Sequence, residues 1–526
     1  MTLTTTDKAD SETTVARPSF AWRGVALVSG LAALVLSVSA ARLHIAGDEL
    51  YYLACGRRLA VSYVDNGPLV PLIARLCDLL APGSVIALRI PGLLLLVAVS
   101  ILAAAVAYEC GARPRFQMLA AAAFPTSPLV FGFTVLTSVS FDIACQASII
   151  WLLVRWVRTR RDRLLVAIGV VAAIDVQDKW LVLMVAAAVG LSILTLGPRE
   201  ILRRPALWLG LLIFAAAMLP ALLWQASHDW PQLATNDAIA HETAQTMGGQ
   251  WGTVGAIIIS PGFIGGGLIL LGLYGLARAP HLRQYRFLLV AAVLMVIMVI
   301  GGHGRSYYVA GIFPVLFGVG ASMLSTLFDA DAQRIMLRRL CTGAAACSAA
   351  LLAFLACLPY PSSWIVDPKS PWLPLQHYGN DTWHSLADAV HEVAIRLPPA
   401  EQATAVVVAS AYNQAGALDH YGRSTWIPPV YSPHRGFAAF GTPPDSATTI
   451  VYVGFNHGTE QRDFLAGFAH TTKARQLRDP LGLSGQNFDI DIWICRDPLT
   501  PMSTAWPSLR YTVAPPTELS PLSGLN

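Results

Sequence analysis

Charge is scarce in this sequence, and lysine is nearly absent from it. Only 13% of the 526 residues are charged, about half of the roughly 25% typical of soluble domains. Nucleic-acid binding needs a basic face on a soluble module, so no nucleic acid is expected as a partner. The deficit is concentrated in residues 21–358, where long apolar runs alternate with short basic or aromatic stretches. The lysines of the whole chain are Lys8, Lys179, Lys369 and Lys473.

Cysteine motifs are also missing. The eight cysteines form no CxxC pair and no Cys/His spacing of the zinc-binding kind, and most lie in apolar runs, where a thiol packs as a small apolar group. Cys55 and Cys77 could still pair outside the membrane. The polar residues 1–20 lack the cleavage pattern of a secretory signal. We therefore predict a disordered cytoplasmic N-terminus over 1–20, followed by a retained membrane anchor.

Long apolar runs dominate the region from 21 to 358. A membrane-spanning helix needs roughly 17–25 mostly apolar residues, and runs of about this length recur, the two between 164 and 197 being the shortest. The pattern predicts a polytopic α-helical membrane domain over 21–358 with about eleven transmembrane helices. The runs lie near 22–41, 84–108, 116–136, 139–157, 164–178, 180–197, 206–226, 252–277, 287–302, 308–327 and 340–358.

Basic residues alternate from one side of these runs to the other. With the N-terminus inside, arginine clusters such as 155–163 and 334–339 face the cytoplasm, whereas the long outward loop 227–255 has no Lys or Arg. Positive charge marks the cytoplasmic side of a membrane protein. The pattern predicts a multi-pass protein of the plasma (inner) membrane with a cytoplasmic N-terminus. Residues 359–526 are then extracytoplasmic.

The segment 359–526 reads as a small α/β domain, because helical patterns alternate with β-rich runs. The predicted helices cover 384–397, 413–421 and 459–468, and the predicted strands cover 405–409, 449–453 and 488–495.

Ionisable residues near the membrane gather at its outward interface. Such residues are expensive within a bilayer and are candidates for function. Carboxylates can act as a general base or hold a divalent metal, and a cation near tyrosines can hold a phosphate. These residues therefore predict a reaction site at the outer surface. They are Asp48, Glu49, Asp65, Asp142, Asp175, Asp178, Lys179, Arg305, Tyr307 and Tyr308.

Short motifs follow one another in order along nearly the whole chain. They are GDELYY at 47–52, YVDNGPL at 63–69, DKW at 178–180, LWQ at 223–225, HDWP at 228–231, GRSYY at 304–308 and YNQAGA at 412–417. This ordered set resembles bacterial glycosyltransferase family 39, which comprises GT-C enzymes related to the protein O-mannosyltransferases and the lipid A aminoarabinose transferase. The chain departs from the family's usual pattern at Gly47, Gly67, Arg305 and Gln414.

The resemblance implies a GT-C fold and inverting transfer of a sugar from a polyprenyl-phosphate donor to a protein, lipid or glycan acceptor. Asp48 is then the catalytic acid/base residue, with Glu49 beside it as helper base, orienting partner or metal ligand. The other implied roles are auxiliary acids near the acceptor or a metal for Asp65 and Asp142, and contact with the donor phosphate for Lys179, Arg305, Tyr307 and Tyr308. If a divalent metal binds, Glu49 and Asp142 are its expected ligands.

Two other functions are compatible with a polytopic membrane protein that carries charged residues. A transporter or lipid flippase would show internal repeats and charged or Gly/Pro-broken helices at mid-membrane, whereas the acidic residues here lie at one face. A catalytically weak scaffold with the tail as a binding module is the third hypothesis, and Gly47 and Gln414 keep it open.

Overall fold

The molecule is a helical bundle with a small mixed β-sheet near its C-terminus. The computed structural model describes residues 18–246, 249–328, 334–357, 360, 382–456, 459–478 and 489–513. Helices α1 to α15 are Trp22–Arg42, Gly47–Arg57, Leu69–Leu80, Val85–Glu109, Pro114–Ala123, Ser138–Thr159, Arg163–Asp175, Leu181–Thr195, Pro205–Ser227, Pro231–Thr246, Gly249–Ile259, Gly262–Arg278, Phe287–Gly301, Phe313–Leu327 and Arg334–Ala356. Short 3-10 helices cover Pro128–Phe133, Arg199–Arg203, Pro280–Tyr285 and Ser306–Ile312.

Five helical segments within the described residues are long and apolar enough to cross a membrane. They are Trp22–Arg42, Val85–Glu109, Ser138–Thr159, Pro205–Ser227 and Ser306–Leu327. A sixth span is formed if α11 and α12, which meet at an angle of 93°, cross together. Shorter apolar helices lie at Leu181–Thr195, Phe287–Gly301 and Arg339–Phe354. The chain is thus a multi-pass membrane protein, whereas the number of about eleven spans stays a prediction.

One predicted run is broken rather than continuous. The apolar stretch 116–136 forms α5 only as far as Ala123, and a 3-10 helix begins at Pro128. Pro125 and Pro128 account for the break, because proline lacks the backbone N–H that a continuing helix needs. Hydropathy alone does not register this interruption.

In its described residues the C-terminal segment adds five α-helices, the 3-10 helix Arg435–Phe440 and a five-stranded sheet. Helices α16 to α20 are Thr382–Ile395, Pro399–Gln402, Tyr412–Tyr421, Thr459–Leu465 and Met502–Leu509. Strands β1 to β5 are Val406–Ala409, Val430–Tyr431, Thr449–Phe455, Phe468–Arg478 and Asp489–Pro498. The strand order is β2-β1-β3-β5-β4, parallel among β2, β1 and β3 and antiparallel from β3 to β5 and from β5 to β4.

The α/β character predicted for the tail is confirmed, although strands β2 and β4 and helices α17 and α20 were not predicted. The helix predicted over 459–468 ends at Leu465, and the residues that follow form the edge strand β4. The sequence of β4, FAHTTKARQLR, is polar and basic, and ten of its eleven residues are not buried. A strand of this kind shows no apolar alternation from which it could be predicted.

Helix α2 connects the tail to the membrane domain. Leu50 and Ala54 of α2 share one buried cluster with Val407 and Leu418 of the tail. Asp419 pairs with Arg58 at 2.7 Å and with Arg57 at 3.2 Å. The boundary predicted at 358/359 therefore separates two segments of the sequence, but side chains from both segments share one apolar core.

Candidate functional site

The first turn of α2 holds two neighbouring carboxylates in opposite environments. Glu49 is fully buried, and Arg89 of α4 reaches it with Nε at 3.0 Å from Oε1 and Nη2 at 2.7 Å from Oε2. Backbone N–H groups of Ala46 and Leu136 donate to the same carboxylate at 2.8 and 2.9 Å. Both oxygens of Glu49 are therefore occupied by donors that fix the start of α2.

Asp48 is exposed at the tip of the same turn. Its Oδ1 accepts a hydrogen bond of 2.8 Å from the hydroxyl of Tyr412, at the first residue of α18. Asp48 is also close enough to Tyr52, Asp65 and Arg305 to interact with them electrostatically. Of the adjacent pair, only Asp48 can meet a ligand from outside.

Asp65 lies beside the pair in the loop before α3. The Tyr51 hydroxyl donates to its Oδ1 at 2.8 Å. Burial raises the pKa of Asp65, and the nearby Asp48 raises it further, while the Tyr51 hydrogen bond and the charge of Arg435 lower it. Asp65 is therefore a carboxyl group held against Tyr51 rather than a freely solvated acid.

Two short helices meet at a turn rich in ionisable groups. Asp175 ends α7, Asp178 and Lys179 form the turn before α8, and Asp142 lies in the first turns of α6; all three carboxylates are buried. Lys179 interacts electrostatically with both Asp142 and Asp178. Within the described part of the chain, no hydrogen bond reaches the carboxylate of Asp175.

The predicted phosphate-binding residues come together around Lys179. Its Nζ lies 5.8 Å from the ring centroid of Tyr307 and 5.9 Å from that of Tyr308, distances at which a cation and an aromatic face attract. Arg305 lies two residues before Tyr307 and within electrostatic reach of both tyrosines. Lys179 and Arg305 thus place two cations beside these tyrosines, with Asp142 and Asp178 close to Lys179.

One of these cations, Arg305, already pairs with a carboxylate of the protein itself. Glu242 of α10 accepts from Arg305 Nη2 at 2.9 Å and pairs with Arg435, which comes from the tail. The guanidinium of Arg435 also lies 5.4 Å from the ring centroid of Tyr412. Arg305 and Arg435, from distant segments, are thus joined through one acidic residue.

The departures from the family pattern have structural reasons at three positions. A Cβ at Gly47 would lie 2.8 Å from that of Asn413, so glycine lets α2 pack closely on α18. A Cβ at Gly67 would lie 2.1 Å from the carbonyl oxygen of Gln177. Gln414 is buried and accepts from Ser410 and from the backbone N–H of Ala411. These residues hold elements together.

The described residues do not fit the divalent metal that was considered from the sequence. None of them form a group of three or more His, Cys, Asp or Glu side chains able to hold a metal ion. Both oxygens of Glu49 are taken by Arg89 and backbone donors, and Asp142 faces the cation of Lys179. The disulfide considered between Cys55 and Cys77 is absent, since both thiols are free.

The structure brings together most of the residues singled out from the sequence, and it adds others. Asp48, Asp65 and Arg305 share one electrostatic neighbourhood, and Lys179, Tyr307 and Tyr308 form another beside it. The additions are Arg89, Glu242, Arg435 and Tyr412. Arg89 could have been found as a charge inside an apolar run, and Tyr412 as the first residue of the YNQAGA motif. Glu242 and Arg435 gave no signal in the sequence.

Part of the chain matches a known protein family, and its fold matches solved structures. The family model for dolichyl-phosphate-mannose-protein mannosyltransferases matches residues 65–224. ArnT from Cupriavidus metallidurans in the apo state superposes with a TM-score of 0.60 at 13% identity, over 90% of this chain and 98% of ArnT. ArnT bound to undecaprenyl phosphate gives 0.57 at 14% identity, over 89% of this chain and 97% of ArnT. No curated protein matches the chain. The family model covers less than a third of the chain, and the two ArnT structures show a shared fold, which is of the GT-C type.

Proposed function

We propose that this chain, a multi-pass membrane protein with the GT-C fold, moves a sugar from a polyprenyl-phosphate donor to an acceptor hydroxyl at the outer face of the membrane. The acceptor oxygen attacks the anomeric carbon as the bond from that carbon to the phosphate oxygen breaks. The electron pair leaves with the phosphate, and the acceptor proton passes to Asp48. A single displacement of this kind inverts the anomeric configuration.

The environment of Asp48 suits a general base. It is the exposed acid of the pair, and the Tyr412 hydroxyl orients one oxygen while the other can meet a substrate. A general base must reach the proton that it removes, and Glu49, enclosed by Arg89 and backbone amides, cannot. Glu49 is better suited to hold the α2 turn that presents Asp48. Asp65 and Asp142 remain auxiliary acids in this proposal.

Lys179 and Arg305 are proposed to hold the donor phosphate, with Tyr307 and Tyr308 lining its pocket. Positive charge stabilises the negative charge that develops on a departing phosphate. The similar ArnT structure contains undecaprenyl phosphate, which supports a lipid phosphate as the leaving group here. The acceptor stays open between protein, lipid and glycan.

The observation that supports the proposal most directly is the position of Asp48. An exposed carboxylate, oriented by Tyr412, lies in electrostatic contact with Arg305, which adjoins the Lys179, Tyr307 and Tyr308 cluster. A base beside an anion-binding pocket is the arrangement that glycosyl transfer from a lipid phosphate requires.

Replacement of Asp48 by Asn tests the function. The purified protein is incubated with a panel of polyprenyl-phosphate-linked sugars and acceptors, and released lipid phosphate and new glycosidic products are measured by mass spectrometry. Loss of a general base lowers rates by roughly 10²–10⁴-fold, so Asp48→Asn should lose transfer while it inserts and folds normally. Asp237→Asn, the same change at an exposed position of α10, is the control. Near-normal transfer by folded Asp48→Asn would refute the assignment.

A further inference from the structure

The carboxylate of Glu242 occupies the proposed phosphate pocket from within the protein. It is 4% exposed, and its two oxygens engage different guanidinium groups, Oε2 that of Arg305 and Oε1 that of Arg435. The two arginines come from segments that are distant in sequence: Arg305 precedes the 3-10 helix Ser306–Ile312, and Arg435 begins the 3-10 helix Arg435–Phe440 of the tail. An anion that accepts from two guanidinium groups makes charge-assisted hydrogen bonds, which are the stronger kind with which arginine binds carboxylates and phosphates.

The backbone conformation of Arg435 indicates that its contact with Glu242 has a functional role. Its φ is +49°, in the left-handed region that non-glycine residues seldom adopt. Such a conformation is unfavourable and persists where surrounding contacts enforce it. Arg435 is held by its Nε donating to the Thr512 carbonyl at 3.1 Å and by the ring of Tyr412. The tail therefore directs this guanidinium towards Glu242 and towards the residue that orients Asp48.

We propose that Glu242 takes the place of the lipid phosphate in the unliganded protein, and that the phosphate displaces it when it binds between Arg305 and Arg435. This inference rests on the proposed function. A carboxylate that competes for the same cations weakens the binding of every lipid phosphate. The effect matters most for the spent lipid phosphate, which is the product of the reaction. This product carries more negative charge than the phosphodiester donor, so without a competing carboxylate it would dissociate slowly. Glu242 thus acts as an internal competitor that limits product retention, and Arg435 is a further residue of the phosphate site.

The experiment measures binding of undecaprenyl phosphate to the purified full-length protein in detergent, by quenching of intrinsic tryptophan fluorescence. Glu242→Gln keeps the size of the side chain and removes its charge. It should bind the lipid phosphate roughly tenfold or more tightly than the unmodified protein, because the phosphate no longer has to displace a carboxylate from two guanidinium groups, and one hydrogen bond to a charged group corresponds to about tenfold or more in affinity. In turnover it should lower both KM and kcat, with kcat then limited by product release. A mere loss of structure would instead weaken binding.

Asp237→Asn is the matched control, because it removes one negative charge from an exposed position of the same helix. It should leave the affinity within about twofold of the unmodified protein, whereas Arg435→Gln should weaken binding. Equal or weaker binding by folded Glu242→Gln, beside measurable binding by the unmodified protein, would overturn the inference and leave the proposed function intact. Absence of lipid-phosphate binding in every variant would overturn both.

Discussion

At the scale of single residues, the Glu49–Arg89 pair determines how α2 begins. Both side chains are fully buried, and Arg89 also donates to the carbonyl oxygens of Ala40, Leu43 and His44 at 2.6 to 2.7 Å. One guanidinium therefore ties the end of α1 to the first turn of α2. Burying charges is unfavourable unless they are paired and hydrogen-bonded, and this pair meets both conditions.

Removing one member of the pair should destabilise the protein. Arg89→Met leaves a buried carboxylate without its cation, which costs about 3–5 kcal/mol. We expect a clear fall in the thermal unfolding temperature of the detergent-purified protein, compared with Arg161→Met at an exposed position. Adding Glu49→Leu to Arg89→Met should recover much of the loss, because no unpaired charge then remains. An Arg89→Met protein as stable as the unmodified one would show that the pair is not structural.

The position of the candidate site residues could be predicted from the sequence, but their partners could not. The acids and cations at the outward interface were predicted because each is out of place in an apolar sequence. The different environments of Asp48 and Glu49 were not, since they depend on Arg89, forty residues away. The partnership of Arg305 with Glu242 was not predictable either, because no local pattern joins residues 63 positions apart.

At the scale of elements, His434 connects the tail to the site. It is buried in the segment before the 3-10 helix Arg435–Phe440, its ring stacks on Tyr511 with centroids 4.7 Å apart, and the Tyr412 backbone N–H donates to its Nδ1 at 3.4 Å. Burial lowers the pKa of His434 to about 3. At neutral pH the folded tail therefore holds this imidazole in its neutral form, next to the residue that orients Asp48.

This shift predicts an acid-sensitive tail. The imidazole protonates near pH 6.5 when the chain is unfolded and near pH 3 when it is folded, so the stability that it contributes is complete above pH 6.5 and is lost as the pH falls towards 3. At pH 5 the loss is about 2 kcal/mol, from 1.36 kcal/mol per pH unit. Hydrogen-exchange mass spectrometry of β1 and β3 should show opening free energies that fall between pH 6.5 and 5, after correction for intrinsic exchange.

The control for this pH dependence is His434→Asn, which removes the titrating group. Other groups titrate in both proteins and cancel in the comparison, including Asp65, whose raised pKa acts in the opposite direction. We expect the variant to be less stable at pH 7 but to lose less stability on acidification. Parallel pH profiles for the two proteins would rule out His434 as the cause.

At the scale of elements, the apolar pattern predicted most helices and failed where other effects dominate. Most of the apolar runs coincide with a helix or a broken pair of helices, since length and hydropathy suffice to identify them. The break after α5 depends on two prolines, and strand β4 exists because β5 offers it a partner edge. Pairing of that kind depends on the neighbouring strand and cannot be predicted from the sequence of β4 alone.

At the scale of the whole molecule, the proposed site lies at one end of the bundle. Helix α6 begins near Asp142, and its 22 residues span about 33 Å at 1.5 Å per residue, so Thr159 and the arginines after it lie at the opposite end. The alternation of basic residues predicts that this opposite end faces the cytoplasm. The tail packs against α2 and therefore shares the side of the site.

The prediction for the whole molecule is that the site and the tail face outwards. Single cysteines are introduced, in a background in which the native cysteines are serine, at the exposed positions Thr471 of β4 and Arg161 of the turn after α6. A membrane-impermeant maleimide added to intact cells should label Thr471→Cys and leave Arg161→Cys unmodified, and both should react after permeabilisation. Labelling of Arg161→Cys alone in intact cells would show that the orientation is the reverse of the predicted one. A base, a phosphate pocket and a sheet facing the cytoplasm would then require a donor presented from inside, which would contradict transfer at the outer face.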